Sequence, residues 1–188
     1  IRLIVKKYQK ILTLSETMLL LQNPYHECRL TALLILVYKF SHGDNRSQKL
    51  IVNLYLAHVN YINNWDLVDL SAPRIVGAYC FEQQDYSILY QLSLSQDLWE
   101  KRISVISTLY LIKYGQFNPT IKICKTLLPD PHDLIHKAVG WALREVGKKD
   151  QKVLIKFLDK YTLQMPRTAL RYSIEKFPEP LRQHYLSL

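Results

Sequence analysis

The segment Arg102-Ile-Ser-Val-Ile-Ser-Thr-Leu-Tyr110 places apolar side chains three and four positions apart. Ile103, Ile106 and Tyr110 therefore share one face of an α-helix. Residues 30–38 show the same spacing, and no part of the chain alternates apolar and polar side chains long enough to indicate a β-strand. The pattern predicts an all-α protein.

Proline and turn-forming residues interrupt these helical patterns. A residue before proline disfavours the helical conformation, so each interruption predicts the end of one helix and the start of another. Together they predict about ten helices of moderate length joined by short loops. The interruptions are Asn23-Pro24, Ser41–Asn45, Asn118-Pro119, Pro129–Pro131, Met165-Pro166 and Phe177-Pro178.

A weak internal repeat connects the helices. Segments with a similar helix-entry pattern are Arg29-Leu-Thr-Ala32, Asp66-Leu-Val-Asp69, Arg102-Ile-Ser-Val105 and Ala138-Val-Gly-Trp141. Their first residues are 37, 36 and 36 positions apart. A period of this size in an all-helical chain indicates an α-solenoid of stacked helix pairs, of the HEAT or TPR kind. The TPR signature is absent, which favours HEAT-like pairs.

We expect one curved, HEAT-like domain over residues 1–188. Equivalent helices of successive pairs then line a concave, basic groove, so residues at equivalent repeat positions converge in space. A length of 188 residues suits one such array. The chain opens at Ile1 without an initiator Met, and we expect further helices before it.

The net charge of +9 is concentrated in the second half of the chain. Residues 1–96 hold 9 Lys and Arg against 7 Asp and Glu, whereas residues 97–188 hold 16 against 9. This distribution favours a polyanionic partner, nucleic acid first and an anionic membrane surface second. A basic composition without a specific partner remains the alternative at this stage.

Composition excludes several other classes. A hydrophobic fraction of 48% is too high for a disordered tail. The longest apolar run, Leu30–Tyr38, is shorter than the roughly 17 to 25 residues of a membrane span. Cys28, Cys80 and Cys124 lie far apart among apolar residues, so we expect reduced core thiols in an intracellular protein and no disulfide framework.

Two other motifs favour a structural interpretation. His132 and His136 have the i, i+4 spacing of a zinc pair, but Pro131 indicates that a helix starts there and that Asp133 stabilises its N-terminus. We therefore expect no metal. The five glycines form no dinucleotide or phosphate-binding fingerprint, so we expect no cofactor.

The strongest candidate site combines residues from three successive repeats. Trp65 and Asp69 are four apart and share a helix face, Arg102 lies one repeat later, and Trp141 lies one repeat later again. The repeat alignment predicts that all four line one groove. Buried core tryptophans and a plain Asp–Arg salt bridge are the structural alternative.

Several motifs also resemble those of the AlkD-type alkylpurine DNA glycosylases, bacterial repair proteins built of HEAT-like repeats. The similarity extends from about His26 to the C-terminus. The matching segments are Asn64-Trp-Asp-Leu-Val-Asp69, Leu98-Trp-Glu-Lys-Arg102, His136-Lys-Ala-Val-Gly-Trp-Ala-Leu-Arg-Glu145, and Met165-Pro-Arg167 through Phe177.

The resemblance implies roles for the four site residues. Asp69 matches the family's catalytic carboxylate, Arg102 its groove arginine, and Trp65 and Trp141 its two aromatic platforms. It implies hydrolysis of the N-glycosidic bond of N3- or N7-alkylated purines in double-stranded DNA, which leaves an abasic site. The expected protein is a monomer in the bacterial cytoplasm, at the nucleoid when acting on DNA, without a membrane or an obligate protein partner.

Basic residues on helices beside the expected groove are candidates for contacts to the DNA backbone, although a solvated helix face is the alternative for each. They are Lys137, Arg144, Lys148, Arg167 and Arg171. Two other functions stay open at this stage. One is a non-catalytic DNA-binding relative with the same fold, and the other is a HEAT-repeat scaffold with an incidental basic surface.

Overall fold

The computed structural model describes residues 1–188 and consists of helices and short connections, with no β-strand. In chain order the α-helices are α1 (Arg2–Tyr8), α2 (Leu14–Leu21), α3 (His26–His42), α4 (Asn45–Ala57), α5 (Trp65–Ala72), α6 (Ala78–Gln83), α7 (Ser87–Ser93), α8 (Leu98–Lys113), α9 (Asn118–Leu127), α10 (Asp133–Lys149), α11 (Gln151–Tyr161), α12 (Arg167–Ser173) and α13 (Glu179–Ser187). No helix combines the length and apolar character needed to cross a bilayer.

Five helix pairs stack into two layers. The inner layer comprises α3, α5 with α6, α8, α10 and α12, and each of these helices packs against the next. The outer layer comprises α4, α7, α9, α11 and α13, each of which follows its inner partner in the chain. The all-α solenoid predicted from the repeat is confirmed. One continuous core of buried apolar side chains lies between the layers.

The helix ends predicted from proline and turn residues are also confirmed, because each of them falls between two α-helices or at the end or start of one. The structure contains more α-helical segments than the expected ten. Part of the difference arises at Pro73, which has no N–H to bond the carbonyl of Asp69 four residues earlier. The chain passes this point as a π-helical turn, Pro73–Gly77, which joins α5 to α6 in one continuous helix.

Gly77, in this π-helical turn, allows α8 to pack closely. A Cβ atom at position 77 would lie 2.2 Å from the carbonyl oxygen of Ser107. The hydroxyl of Ser107 also donates a hydrogen bond to the carbonyl of Ala72 (3.3 Å). The short side chains at this contact therefore bring α8 against the end of α5, the helix that carries Asp69.

The cysteines are part of the core rather than a reactive site. Cys80 and Cys124 are fully buried, as predicted, whereas Cys28 is half-buried. Burial raises the pKa of the Cys80 thiol to about 12, so the nucleophilic thiolate is scarce at neutral pH.

Candidate functional site

Asp69 and Arg102 form a two-point ion pair between adjacent inner helices. The Nε–H group of Arg102 donates to Oδ1 of Asp69 (3.0 Å), and the Nη2–H group donates to Oδ2 (2.8 Å). Paired donors and acceptors of this kind fix both position and orientation. The sequence repeat places the two residues on corresponding helices, α5 and α8, of successive helix pairs.

Arg102 is itself held in place by α10. Its Nη1–H group donates to the backbone carbonyl of Leu134 (2.7 Å), and the residue is only 4% exposed. Three of the five N–H donors of this side chain are thus engaged within the protein. These three hydrogen bonds fix Arg102 against Asp69 and leave two of its N–H groups without a partner within the protein.

The start of α10 is anchored to α8 by a second, largely buried ion pair. Nζ of Lys101 lies 2.5 Å from Oδ2 of Asp130, and the two side chains are 16% and 6% exposed. Oδ1 of Asp130 accepts the backbone N–H of His132 (2.9 Å), and the imidazole of His136 bonds the backbone carbonyl of Asp130. These contacts hold Leu134, and hence its carbonyl, in front of Arg102.

His132 and His136 are therefore structural in this fold. Nδ1 of His132 accepts the backbone N–H of Leu134 and caps α10, while His136 bonds the loop before it. The interpretation of this motif as a helix start is confirmed. The structure contains no cluster of three or more potential metal ligands.

A groove of about 340 Å³ opens beside the Asp69–Arg102 pair. The residues that line it are Trp65, Arg102, Leu134, Lys137, Trp141, Arg144 and Tyr172. Trp65 is 53% exposed although tryptophan is usually buried, and Trp141 is half-buried. The structure thus brings together three of the four residues that we expected to line the groove.

Asp69 is the exception. Its side chain is 14% exposed and does not line the groove but lies next to it, bonded to Arg102. The expectation that all four residues form the groove wall needs this correction. The reason is the ion pair itself, since Arg102 covers both oxygens of the carboxylate.

The environment of Asp69 changes its acidity in opposing directions. Burial raises the pKa of the Asp69 carboxyl above its ordinary value. The hydrogen bonds and positive charge of Arg102 oppose this shift, and the negative charge of Asp66 adds to it. Arg102 is therefore the group that favours the ionised carboxylate in this setting.

Tyr172 is a groove residue that the sequence pattern did not reveal. It lies on α12 and is 37% exposed. It reaches the groove because Gly140 on α10 lacks a side chain: a Cβ atom there would lie 2.4 Å from Cβ of Tyr172 and 2.6 Å from the carbonyl oxygen of Ala169. Glycine next to Trp141 within a helix was the available signal, because glycine in a helix interior often marks a close helix contact.

The five basic residues expected to contact DNA occupy different settings. Lys137 and Arg144 line the groove, and Lys148 lies one turn beyond Arg144 on α10. Arg167 is exposed and donates to the carbonyl of Leu186 (2.9 Å), so it lies against the C-terminal helix. Arg171 is exposed on α12.

Acidic neighbours lie next to three of the four lysine and arginine side chains of α10, all except Lys149. Lys137 pairs with Asp133, Arg144 pairs with Glu175, and Lys148 pairs with Glu145. These pairs range from half-buried to exposed, and ion pairs that solvent reaches contribute little stability. Their cations can therefore exchange a carboxylate for a phosphate at small energetic cost.

Comparisons with known proteins bear on the family and the fold of the chain. The model of the family described as "DNA alkylation repair enzyme" matches residues 1–177. A predicted DNA alkylation repair enzyme from Enterococcus faecalis has a similar structure, with a TM-score of 0.76 and 15% identity over 95% of this chain and 83% of that one. AlkD2 from Streptococcus mutans is similar with a TM-score of 0.70 and 19% identity, over 93% of this chain and 86% of that one. No curated protein matches the sequence.

Proposed function

We propose, since the chain belongs to the DNA alkylation repair enzyme family, that it is a DNA glycosylase acting on cationic N3- or N7-alkylated purines in double-stranded DNA. Family membership supports a role in the repair of alkylated DNA. The observation that carries the finer proposal is the oriented Asp69–Arg102 pair beside a groove walled by Trp65 and Trp141.

The chemistry of the lesion suits this set of side chains. An N3- or N7-alkylated purine carries a positive charge and is a good leaving group without protonation. When the C1′–N9 bond breaks, its electron pair neutralises the purine, and positive charge develops on the sugar. Water then adds to C1′ and loses a proton to solvent or to a carboxylate. No general acid is needed for departure of the base.

Asp69 supplies the negative charge in this proposal. A fixed carboxylate stabilises an oxocarbenium-like sugar and orients the attacking water. Arg102 acts as a positioning residue, because it holds both oxygens of Asp69 and favours its ionised form. Arg102 also lines the groove, where its two remaining N–H groups would donate to a backbone phosphate.

Trp65 and Trp141 supply recognition of the cationic nucleotide. The face of an indole ring carries negative electrostatic potential and attracts a cation by about 0.5–2 kcal/mol, depending on how far the pair is shielded from water. The exposure of Trp65 agrees with this role, because a ligand can approach its ring directly. Lys137 and Arg144 at the groove and Lys148 beyond it would bind phosphates without sequence preference.

The experiment is release of 3-methyladenine and 7-methylguanine from methylated duplex DNA under single-turnover conditions. We expect Asp69→Asn to lower the rate about 10²–10³-fold, the usual effect of removing one charge-stabilising group. Arg102→Ala should also lower it, through loss of the carboxylate's position. Asp85→Asn, a change at an exposed carboxylate, is the matched control and should leave the rate unchanged.

A non-catalytic DNA-binding function is the second candidate. It is favoured by one observation, namely that Arg102 occupies both oxygens of Asp69 and leaves the side chain 14% exposed. This candidate predicts salt-dependent DNA binding with no base release, and equal DNA affinity for wild type and Asp69→Asn. Undiminished base release by Asp69→Asn, with the variant folded as judged by circular dichroism, would exclude the proposed mechanism.

A further inference from the structure

Much of the net positive charge of the C-terminal half lies away from the groove. Several cations in or beside the groove lie next to acidic partners, namely Arg102 with Asp69, Lys137 with Asp133, Arg144 with Glu175, and Lys148 with Glu145. Lys149 on α10 and Arg167 and Arg171 on α12 form no ion pair. Further unpaired cations lie on other helices.

Five lysines of the outer layer supply much of this positive charge. Lys122 and Lys125 lie on α9, and Lys152, Lys156 and Lys160 lie on α11. All five are exposed, and none forms an ion pair. We call this group the outer lysine surface.

The outer lysine surface faces away from the groove. On α9, the side chains of Ile123, Cys124 and Leu127 are buried against the inner layer, and the two lysines lie on the opposite side of the helix. On α11, Leu154, Phe157 and Leu158 are buried in the same way. Lys152, Lys156 and Lys160, which follow each other at intervals of four, share the opposite face.

One aromatic ring connects α9 with α11 within this surface. Nζ of Lys125 on α9 and Nζ of Lys160 on α11 both lie over the ring of Tyr161, at 6.0 and 5.4 Å from its centroid. Nζ of Lys122 lies 3.9 Å from the centroid of Tyr90. These contacts hold ammonium groups near one another without neutralising them, since a tyrosine ring is uncharged.

Acidic residues are nearly absent from this surface. Within α9 there is no Asp or Glu, and α11 contains only Asp159. Asp159 lies among Lys152, Lys156 and Lys160, and its Oδ1 accepts the hydroxyl of Tyr185 (2.6 Å). Five lysines against one carboxylate leave an excess of positive charge on two helices of the outer layer, and a polyanion relieves their mutual repulsion by releasing its own counterions.

We propose that the outer lysine surface binds a second segment of duplex DNA, separate from the one in the groove. The choice of DNA as the polyanion rests on the proposed function, which already places the protein on DNA. One molecule would then contact two duplexes, one on each layer. Binding at the outer lysine surface would keep the protein on DNA while the groove dissociates from one stretch of duplex and binds another.

The test measures how many duplexes one molecule binds. Sedimentation velocity with a molar excess of an undamaged 20-base-pair duplex at 50 mM salt should show a complex with two duplexes. If the surface neutralises about five phosphates, raising the salt concentration from 50 to 200 mM should weaken binding of the second duplex about 500-fold. Each phosphate contact contributes about −0.9 to the slope of log K against log salt concentration. The variant with all five lysines changed to glutamine should bind one duplex only.

Two control variants isolate the surface from net charge. Changing the five lysines to arginine keeps the charge and should keep the second duplex. Changing five exposed cations of the N-terminal region to glutamine removes the same charge elsewhere and should also keep it; these are Lys6, Lys7, Lys10, Arg46 and Lys49.

Each outcome separates this proposal from the glycosylase. One duplex per wild-type molecule overturns the second surface and leaves the proposed function intact. Loss of the second duplex in the N-terminal control also overturns it, because binding then depends on net charge alone. Two duplexes without base release supports the second surface and refutes the glycosylase.

Discussion

Replacing Gly140 with alanine tests the contact that builds the groove. Gly140 lies on α10 beside Trp141, where α12 approaches most closely. The added Cβ atom would lie 2.4 Å from Cβ of Tyr172 and 2.6 Å from the carbonyl oxygen of Ala169. The Ala169 carbonyl oxygen is part of the backbone of α12, and Cβ of Tyr172 is bonded directly to it. Neither atom can rotate away.

The expected cost follows from these distances. Carbon atoms are at optimal separation near 3.5–4.0 Å, so α12 must move by about 1 Å or more. Overpacking of this kind costs about 1–3 kcal/mol, and the upper end applies because backbone must shift. Alanine recovers about 1 kcal/mol through its better helix propensity. The net loss in the free energy of unfolding is about 2 kcal/mol, or about 4–8 °C in Tm for a chain of this size.

The matched control is Gly147→Ala on the same helix. Its Cβ atom would also meet a neighbour at 2.4 Å, but that neighbour is Cδ2 of Leu154, the mobile end of a side chain. A new rotamer can relieve this contact, so we expect Gly147→Ala to change stability by less than about 1 kcal/mol. Urea unfolding of both variants measures the difference.

Base release by the two glycine variants completes the test. Movement of α12 displaces Tyr172 from the groove, so Gly140→Ala should also slow base release at temperatures where it is folded. A Gly140→Ala protein as stable as Gly147→Ala, with wild-type base release, would refute the argument that this glycine sets the position of the groove wall.

Three further outcomes follow from the structure. Because burial raises the pKa of Asp69, its carboxylate becomes protonated at a higher pH than an exposed one. The single-turnover rate of base release should therefore fall as the pH drops through that raised pKa. A pH-independent rate would contradict a role for the carboxylate. Tyr172→Ala widens the groove and should raise the ratio of bulky to methyl N7 adducts excised, an effect that Tyr172→Phe should not produce. Lys101→Met leaves the buried carboxylate of Asp130 without its partner and should cost about 3–5 kcal/mol in urea unfolding. Lys137→Met, next to the exposed Asp133, should leave the urea midpoint almost unchanged.

Much of the fold could be predicted from the sequence because its signals are local. Helical spacing such as that of Ile103 and Ile106, and helix ends such as Pro129–Pro131, depend on residues within one or two turns. The repeat period added one piece of long-range information, since it placed Asp69 and Arg102 on corresponding helices of successive repeats although they are 33 positions apart in the chain. The ion pair joins these two neighbouring helices.

Other features could not be predicted because they depend on how close two helices approach. Tyr172 becomes a groove residue only because Gly140 allows α12 against α10. The partial burial of Asp69 depends on the conformation of the Arg102 side chain, which donates a hydrogen bond to the backbone carbonyl of Leu134. The charge distribution along the chain predicts cations beside the groove, whereas five unpaired lysines of the C-terminal half lie on the outer layer.

By itself, the sequence determined the helices, their pairing and which residues occupy equivalent turns, because periodicity and turn chemistry act over short distances. Only the tertiary structure decided which of those residues face a groove, which are covered by a neighbour and which charges lack a partner. Exposure, and ion pairs such as Asp69–Arg102 and Arg144–Glu175, are set by atoms of different helices and the turns that follow them, at separations of a few ångströms. A shift of one helix by that distance, which leaves the sequence pattern unchanged, would alter the chemistry of the groove.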